Sequence, residues 1–272
     1  MQSVWISLAL LGGMGAVFGL LLAYAAHRFT VESDPRIDEV EKALPGANCG
    51  ACGYPGCRGL AEAIVEGKAP TNACPVGKAA AAARIAEITG TDAGDAAPRR
   101  AVLLCCGGRE DCPDRFVYAG VADCAAANRL AGGPKGCEYG CLGLGTCVAK
   151  CPFGAIRINE KGLAEIGPEC TGCGLCAPSC PRHLLTLVPV SRVVAVACRN
   201  TQKGPEVRKI CKTGCIACGI CVKNCAAGAI TIQNNTALID QEKCTQCGIC
   251  VAKCPTKAIA DLPGTESREQ AG

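Results

Sequence analysis

The chain has 272 residues, 26 of them cysteine, and a formal net charge of +4. Aromatic residues make up only 3% of the composition, which argues against a large packed core and favours small domains stabilised by metal or covalent links. Metal-bound thiolates would offset the apparent positive charge, and the sequence has no basic helix or stacked-aromatic motif, so nucleic acid is not an expected partner.

The N-terminal segment predicts a membrane anchor. Residues 1–26 contain no charged side chain, and the run from Val4 to Ala26 is almost wholly apolar and long enough to span a bilayer as a helix. A cleaved signal peptide is the alternative, because residues 23–25 resemble a cleavage site, but the positively charged N-terminal region of such a peptide is missing. Arg28 follows the run and favours cytoplasmic cysteine domains. We expect a single-pass anchor at 1–30 in the cytoplasmic (inner) membrane, in contact with lipid.

A small helical module is predicted at residues 31–89. Residues 31–44 read as a linker and an amphipathic helix, and helices are expected at Arg58–Gly67 and Lys78–Thr89. One compact block of cysteines suggests a self-contained 4Fe–4S module, although this spacing leaves zinc as an alternative. The cysteines of the block are Cys49, Cys52, Cys57 and Cys74.

Ferredoxin-type cysteine repeats fill the rest of the chain. A linker rich in Gly, Asp, Ala and Pro is predicted at 90–100, followed by one region at 101–200, a second at 201–262 and a tail at 263–272. Three cysteines spaced three residues apart can wrap one face of a 4Fe–4S cluster, whereas the fourth cysteine reaches the neighbouring cluster. Zinc sites use two separated pairs instead, so the repeats predict iron–sulfur clusters.

Exchanging the fourth ligands between repeats predicts two ligand sets in each region. In the second region, the sets are Cys215, Cys218, Cys221 with Cys254, and Cys244, Cys247, Cys250 with Cys225. In the first region, whose first repeat has a stretched spacing, the sets are Cys137, Cys141, Cys147 with Cys180, and Cys170, Cys173, Cys176 with Cys151. Hairpins are predicted at Ile156–Ile166 and Ile230–Ile239. The expected fold is α+β: a transmembrane helix, a small helical module and two pseudo-symmetric ferredoxin-like regions.

Six cysteines lie outside these sets. They are Cys105, Cys106, Cys112, Cys124, Cys198 and Cys211. Arg100 and Arg192 each precede an apolar run and a cysteine six residues later, which predicts two adjacent strands that bring thiolates together. A sixth cluster on Cys106, Cys112, Cys124 and Cys198, with Cys211 as a substitute, is one interpretation. Buried free cysteines that act as small hydrophobic residues are the other.

The chain resembles a known family. The order of an apolar N-terminal helix, the motif ANCGACGYPGC followed by NACPVG, and ferredoxin repeats is similar to the B subunit of the Rnf electron-transport complexes. The stretch GGPKGCEYGCLGLGTCVAKC resembles the longer, clostridial-type form. The resemblance implies a membrane complex that passes electrons between reduced ferredoxin and NAD and couples this to Na⁺ or H⁺ transport. One departure is Ala226 after Cys225, where ferredoxins have proline.

The cysteine sets predict five 4Fe–4S clusters, with a sixth as one interpretation of the remaining cysteines. The resemblance implies an electron-relay subunit that binds other subunits of the complex and soluble ferredoxin. A related complex that keeps a redox-sensing transcription factor reduced is the alternative. A self-sufficient oxidoreductase would need a nucleotide or flavin site, and no glycine fingerprint lies between a predicted strand and helix. Catalytic residues are therefore not expected, and His183 is interpreted as a solvated loop residue.

The direction of electron flow is expected to follow the order of the domains. The module is tied close to the membrane helix, whereas the ferredoxin regions extend away from it, so ferredoxin should reduce the distal clusters and the module should pass electrons on. Four basic residues near the cysteine motifs can steer an acidic donor or form a merely solvated face. They are Lys203, Arg208, Lys209 and Lys212.

Overall fold

The computed structural model describes residues 2–28, 34–95, 97–191 and 194–261. Arg192, on which part of the strand prediction rests, and the predicted tail at 263–272 lie outside the described residues.

The N-terminal helix α1 (Gln2–Arg28) forms over the predicted apolar run. Its large apolar side chains are exposed, among them Trp5, Leu10 and Phe18. The segment Leu10–Arg28 is long and apolar enough to cross a membrane. A continuous apolar surface of this kind needs a lipid or protein partner, because water does not solvate it favourably.

Three helices form the module, as predicted: α2 (Pro35–Ala43), α3 (Cys57–Val65) and α4 (Lys78–Thr89). The start of α2 is fixed by Asp34, whose side chain accepts the N–H of Arg36, and by a proline in the first turn. Val40, Leu60 and Ile85, one from each helix, meet in the module's apolar core. Most of the stability of these short helices therefore comes from packing against one another.

The predicted linker at 90–100 is partly bound to the module. Thr71 Oγ1 donates to the carbonyl of Asp92 at 2.7 Å, and Asn72 Nδ2 donates to that of Asp95 at 3.1 Å. The first strand already begins at Arg99. The connection that is not held by the module is therefore shorter than the composition suggested.

Four two-stranded antiparallel sheets follow within the described residues. Their strands are β1 (Arg99–Leu103), β2 (Ile156–Ile158), β3 (Ala164–Ile166), β4 (Leu185–Pro189), β5 (Val194–Val196), β6 (Ile230–Gln233), β7 (Thr236–Ile239) and β8 (Ile259–Asp261). The pairs are β1–β4, β2–β3, β5–β8 and β6–β7. The same arrangement thus occurs twice: a hairpin of two strands lies between two further strands, and these two outer strands pair with each other.

Five short helices connect these strands, and most of them carry cysteines. They are α5 (Cys124–Arg129), α6 (Thr146–Ala149), α7 (Gly204–Ile210), α8 (Ile220–Lys223) and α9 (Ile249–Lys253).

Both predicted hairpins are present. Ile156 faces Ile166 in β2–β3, and Ile230 faces Ile239 in β6–β7. Asn234 and Asn235 both have positive φ angles, of 48° and 58°, which a tight turn between twisted strands requires. Asparagine tolerates that conformation better than most residues.

The strands that start at Arg99 and Val194 do not pair with each other, although two adjacent strands were predicted there. β1 pairs with β4, and β5 pairs with β8 at the end of the second region. The two sheets nevertheless touch, because the Cys106 N–H donates to the Ala197 carbonyl at 3.0 Å. The regions are therefore joined by β5 and by this contact.

Replacing Ile85 by alanine should weaken the module, because it removes a fully buried side chain and leaves a cavity that costs about 2–5 kcal/mol. Hydrogen–deuterium exchange of the full chain should then be faster across α4. Arg84→Ala, an exposed neighbour on the same helix, is the matched control and should exchange like the wild type. Unchanged protection of α4 in Ile85→Ala would contradict this packing.

Candidate metal centres

The 26 cysteines are free thiols gathered into groups. Within the described part of the chain, no three His, Cys, Asp or Glu side chains converge closely enough to hold a single metal ion. Several groups instead surround cavities. We label the groups A to F: group A lies in the module, and groups B to F follow in the order in which neighbouring groups contact one another.

Group A lies in the module, where the structure brings Cys52, Cys57 and Cys74 together; Cys49, the fourth predicted member, lies in the loop before them. Burial raises the pKa of the Cys74 thiol, and the nearby thiols of Cys52 and Cys57 add to the increase. Gly56, with a φ of 94°, passes so close to Asn48 that a Cβ atom would collide with its Oδ1. That oxygen accepts the N–H of Cys57 at 2.7 Å, which fixes the start of α3. The turn therefore aims Cys57 towards Cys74.

Group B contains Cys151, Cys170, Cys173 and Cys176, the members of a predicted set. Burial raises the pKa of Cys176 to about 11, and the proximity of the other three thiols contributes. The Ala101 N–H, from β1, points at the Cys170 sulfur at 3.4 Å. The sheet edge thus supplies a hydrogen-bond donor to a sulfur of this group.

Group C lines a cavity of about 390 Å³. Its cysteines are Cys124, Cys141, Cys147 and Cys180. Burial raises the pKa of Cys147 to about 12, with Cys141 and Cys124 as the nearest contributing thiols. The predicted set had Cys137 where the structure places Cys124.

Hydrogen bonds at the start of α5 explain why Cys124 joins this group. Thr146 Oγ1 accepts the Cys124 N–H at 2.7 Å and donates to Asp123 Oδ2 at 2.9 Å. The other Asp123 oxygen caps α5 by accepting the Ala126 N–H at 2.7 Å. Because Thr146 also begins α6, which carries Cys147, the start of α5 is tied to the start of α6.

Group D lies between the two regions, around a cavity of about 340 Å³. Six cysteines line it: Cys105, Cys106, Cys112, Cys137, Cys198 and Cys211. Cys112, Cys137 and Cys211 form one buried contact group. Cys112 and Cys211 form an S–H···S hydrogen bond, which raises the pKa of Cys112 and lowers that of Cys211.

Groups E and F belong to the second region and match its two predicted sets. Group E lines a cavity of about 350 Å³ with Cys215, Cys218, Cys221 and Cys254. In group F, burial raises the pKa of Cys250, and the nearby Cys244 and Cys247 contribute. Cys225, the fourth member of group F, packs against the apolar core that contains Cys250.

The spacing of the cysteines thus predicted Cys137 in the set where the structure places Cys124, and Cys124 in the possible sixth set, whose cavity the structure lines with Cys137. The signal available was the loosened spacing of Cys137, Cys141 and Cys147, where neither interval is the three residues on which the exchange of fourth ligands depends. The link from Asp123 to Thr146 spans 23 residues and has no local pattern.

The remaining singled-out residues lie outside these cavities. His183 is exposed in the loop after group C's Cys180, with a φ of 50°. The four basic residues at 203–212 lie on or beside α7, which borders group D.

The donor set suits iron–sulfur clusters. Thiolates are soft ligands that bind zinc and iron–sulfur clusters, but a zinc ion draws four ligands to about 2.3 Å from one point. Groups C, D and E instead spread their sulfurs around cavities of similar volume, 340–390 Å³. Backbone N–H groups point at several of the sulfurs, as at Cys170, Cys198 and Cys225. Such donors are typical of the surroundings of cluster sulfurs.

Comparisons with known proteins agree with this chemistry. The profile of a family described as a putative Fe–S cluster matches residues 44–76, and that of the 4Fe–4S dicluster domain matches residues 214–258. The first match favours iron–sulfur over zinc in the module.

Curated relatives match over most of the chain. The B subunit of the Na⁺-translocating ferredoxin:NAD⁺ oxidoreductase complex of Acetobacterium woodii is 51% identical over 89% of this chain and 73% of its own length. The B subunit of the ion-translocating oxidoreductase complex of Methanosarcina acetivorans is 46% identical over 95% of this chain and 99% of its own. The proton-translocating counterpart from Clostridium ljungdahlii is 46% identical over 89% and 86%. With this identity over nearly its whole length, the chain belongs to the family of B subunits of the ion-translocating oxidoreductase (Rnf) complexes.

Proposed function

We propose that this chain is the electron-relay subunit of a membrane complex that couples ferredoxin:NAD oxidoreduction to Na⁺ or H⁺ transport. It has no substrate-converting site of its own. All three relatives are named as subunits of ion-translocating oxidoreductase complexes, and two of the names specify ferredoxin:NAD⁺, which supports this activity. The single observation that carries the relay is that cysteine groups B to F contact one another in an unbroken series.

The contacts between groups support this series. Cys147 of group C is close enough to Cys176 of group B for that thiol to raise its pKa, after burial and nearer thiols. The Cys141 N–H of group C points at the Cys105 sulfur on the wall of group D, at 3.4 Å. The Cys215 N–H of group E points at Cys198, on the opposite wall of group D, at 3.3 Å. Groups E and F share one apolar core.

Each group is proposed to hold one 4Fe–4S cluster, which accepts and donates single electrons when bound. The proposed ligands are Cys49, Cys52, Cys57 and Cys74 (A); Cys151, Cys170, Cys173 and Cys176 (B); Cys124, Cys141, Cys147 and Cys180 (C); Cys112, Cys137, Cys198 and Cys211 (D); Cys215, Cys218, Cys221 and Cys254 (E); and Cys225, Cys244, Cys247 and Cys250 (F). Relative to the sequence-based sets, Cys124 and Cys137 are exchanged, and Cys211, the substitute named for the sixth set, replaces Cys106. Two cysteines, Cys105 and Cys106, are left as thiols.

The fourth ligand of group D is assigned from the partners of the sulfurs. The Cys198 and Cys105 sulfurs each accept a backbone N–H, which stabilises a thiolate, but burial raises the pKa of Cys105 to about 12. The Cys106 sulfur lies 3.2 Å from the Thr213 carbonyl oxygen and donates to it. A thiolate there would face this partial negative charge. Burial raises the pKa of Cys106 to about 12, although a hydrogen bond from the Thr213 side chain lowers it, so Cys106 suits a neutral thiol.

The placement of the groups supports the proposed partners. Group A lies on the module, which follows α1 in the chain. Helix α1 is proposed to anchor the chain as a single pass in the cytoplasmic membrane, with the cysteine groups on the cytoplasmic side. Groups E and F lie at the far end of the series, where soluble ferredoxin is the proposed donor. The basic residues on and beside α7 are proposed to attract this acidic partner. Other subunits of the complex receive the electrons from group A.

Double variants test the exchange of Cys124 and Cys137. Under the proposed ligand sets, Cys112→Ser with Cys137→Ser damages only group D, whereas Cys112→Ser with Cys124→Ser damages groups D and C. Iron analysis of the anaerobically reconstituted full chain should give about 24 irons for the wild type, about 20 for the first double variant and about 16 for the second.

Cys106→Ser is the matched control and should keep the full iron content. The reverse order of the two double variants would restore the sets predicted from spacing. Equal iron content in the wild type and the Cys112→Ser, Cys137→Ser variant would show that group D holds no cluster.

Replacing Cys52 by serine tests the role of group A in the assembled complex. Ferredoxin should still reduce the distal clusters, seen as bleaching of the visible iron–sulfur absorbance, but NAD reduction should fall at least about a hundredfold because one link of the relay is missing. Cys105→Ser, an unassigned thiol, is the control. Wild-type turnover by an assembled complex that lacks the group A cluster would place the exit elsewhere.

A reporter fused after Gly272 tests the topology. A cytoplasmic reporter, such as a fluorescent protein that folds only in the cytoplasm, should be active, and an alkaline phosphatase fusion should be inactive, because Arg28 follows the apolar helix. The opposite pair of activities would place the cysteine groups outside the cytoplasm.

A further inference from the structure

A partly buried arginine lies between groups C and D. Arg182 comes two residues after Cys180 and lines the group C cavity. Its guanidinium donates to the carbonyl of Cys137 at 2.9 Å, to those of Gly140 and Gly132, and to Asn128 Oδ1 at 3.1 Å. All these partners are neutral oxygens. The hydrogen bonds orient the group but leave its charge uncompensated.

No carboxylate balances this charge within the described residues. Eight ion pairs occur there, and none of them involves Arg182. The groups that can carry the opposite charge beside it are the thiols of Cys137, Cys105 and Cys141. An unpaired charge that is removed from water is costly, unless a negative group lies nearby.

A second cation, also without a carboxylate partner in the part of the chain that the structure describes, lies near groups C and D. Lys135 is only 3% exposed and also takes no part in those eight ion pairs. Its charge acts on Cys105 and Cys112, both on the wall of group D. Two cations without carboxylate partners among the described residues therefore lie where two sets of thiolates approach each other.

We propose that Arg182 is the fixed counter-charge shared by the clusters of groups C and D, and that it raises the reduction potentials of both. The inference rests on the proposed function, because it needs clusters in both groups. A 4Fe–4S cluster with a 2+ core and four thiolates carries about −2, and reduction adds one electron. A nearby positive charge stabilises the reduced form more than the oxidised form. It also lowers the repulsion between two adjacent anionic clusters.

Arg182 has a positioning role as well, which the experiment must separate from its charge. Its donors hold the carbonyls of the loop that carries Cys137 and Cys141. Lysine keeps the positive charge but cannot form the forked set of hydrogen bonds, whereas glutamine removes the charge and keeps a hydrogen-bond donor. The pair of variants Arg182→Lys and Arg182→Gln therefore separates the two roles.

The test is a potentiometric titration of the reconstituted full chain, followed by electron paramagnetic resonance. Signals are assigned by their loss in Cys124→Ser for group C, Cys112→Ser for group D and Cys247→Ser for group F. In Arg182→Gln, the equilibrium constants for reduction of groups C and D should fall about tenfold, which is about 59 mV for a one-electron couple. Arg182→Lys should keep the wild-type potentials. The group F signal should not move in either variant.

Arg129→Gln is the matched control, because Arg129 lies on α5 near group C but is exposed, and it should leave all potentials unchanged. Iron content is measured in every variant. Full iron content with unchanged potentials in Arg182→Gln would overturn the inference and leave the relay standing. Equal shifts in the lysine and glutamine variants, or loss of iron from both, would assign Arg182 a purely structural role. A wild-type chain without clusters in groups C and D would instead refute the proposed function.

Discussion

The folded core of this chain depends on sulfur atoms that surround cavities. Buried cysteines stand among the core residues of both regions, such as Cys147 beside Ile156 and Cys221 beside Ile230. A chain with 3% aromatic residues has few large side chains with which to fill the space between these thiols. The sheets have only two strands each, too few to be stable alone. A cluster bound between these thiols would therefore also stabilise the domains.

The sequence predicts the parts of this arrangement that follow from local spacing. The regular triplets predict which thiols lie together in groups B and E, and the apolar alternation around Asn234 and Asn235 predicts a hairpin. The position of Cys124 could not be predicted, because a hydrogen bond to Thr146, which lies 22 residues later in the chain, brings it into its group. The pairing of β5 with β8 could not be predicted for the same reason, because the two strands are far apart in the sequence. Long-range contacts between short elements leave no periodic signal.

The junction between the two regions has a structural role and also a place in the proposed relay. β5 hydrogen-bonds to β8, the Cys106 N–H reaches the Ala197 carbonyl, and the sulfurs of group D fill the space beside this contact. Residues from both regions line the same cavity, with Cys112 from one and Cys211 from the other. A cluster bound there would fasten the regions together and complete the series of groups. Stability of the junction and continuity of the relay therefore depend on the same thiols.

The short connection between the module and β1 determines which cysteine group lies nearest to the module. Asp95 is hydrogen-bonded to the module and Arg99 begins β1, so this connection spans at most about 14 Å, at ~3.5 Å per extended residue. Two residues into β1, the Ala101 N–H reaches the Cys170 sulfur of group B. Group A is thus tethered beside group B, while groups E and F lie beyond group D. Under the proposed relay, this tether favours group B as the group that passes electrons to the module, because groups C to F follow group B in the series of contacts.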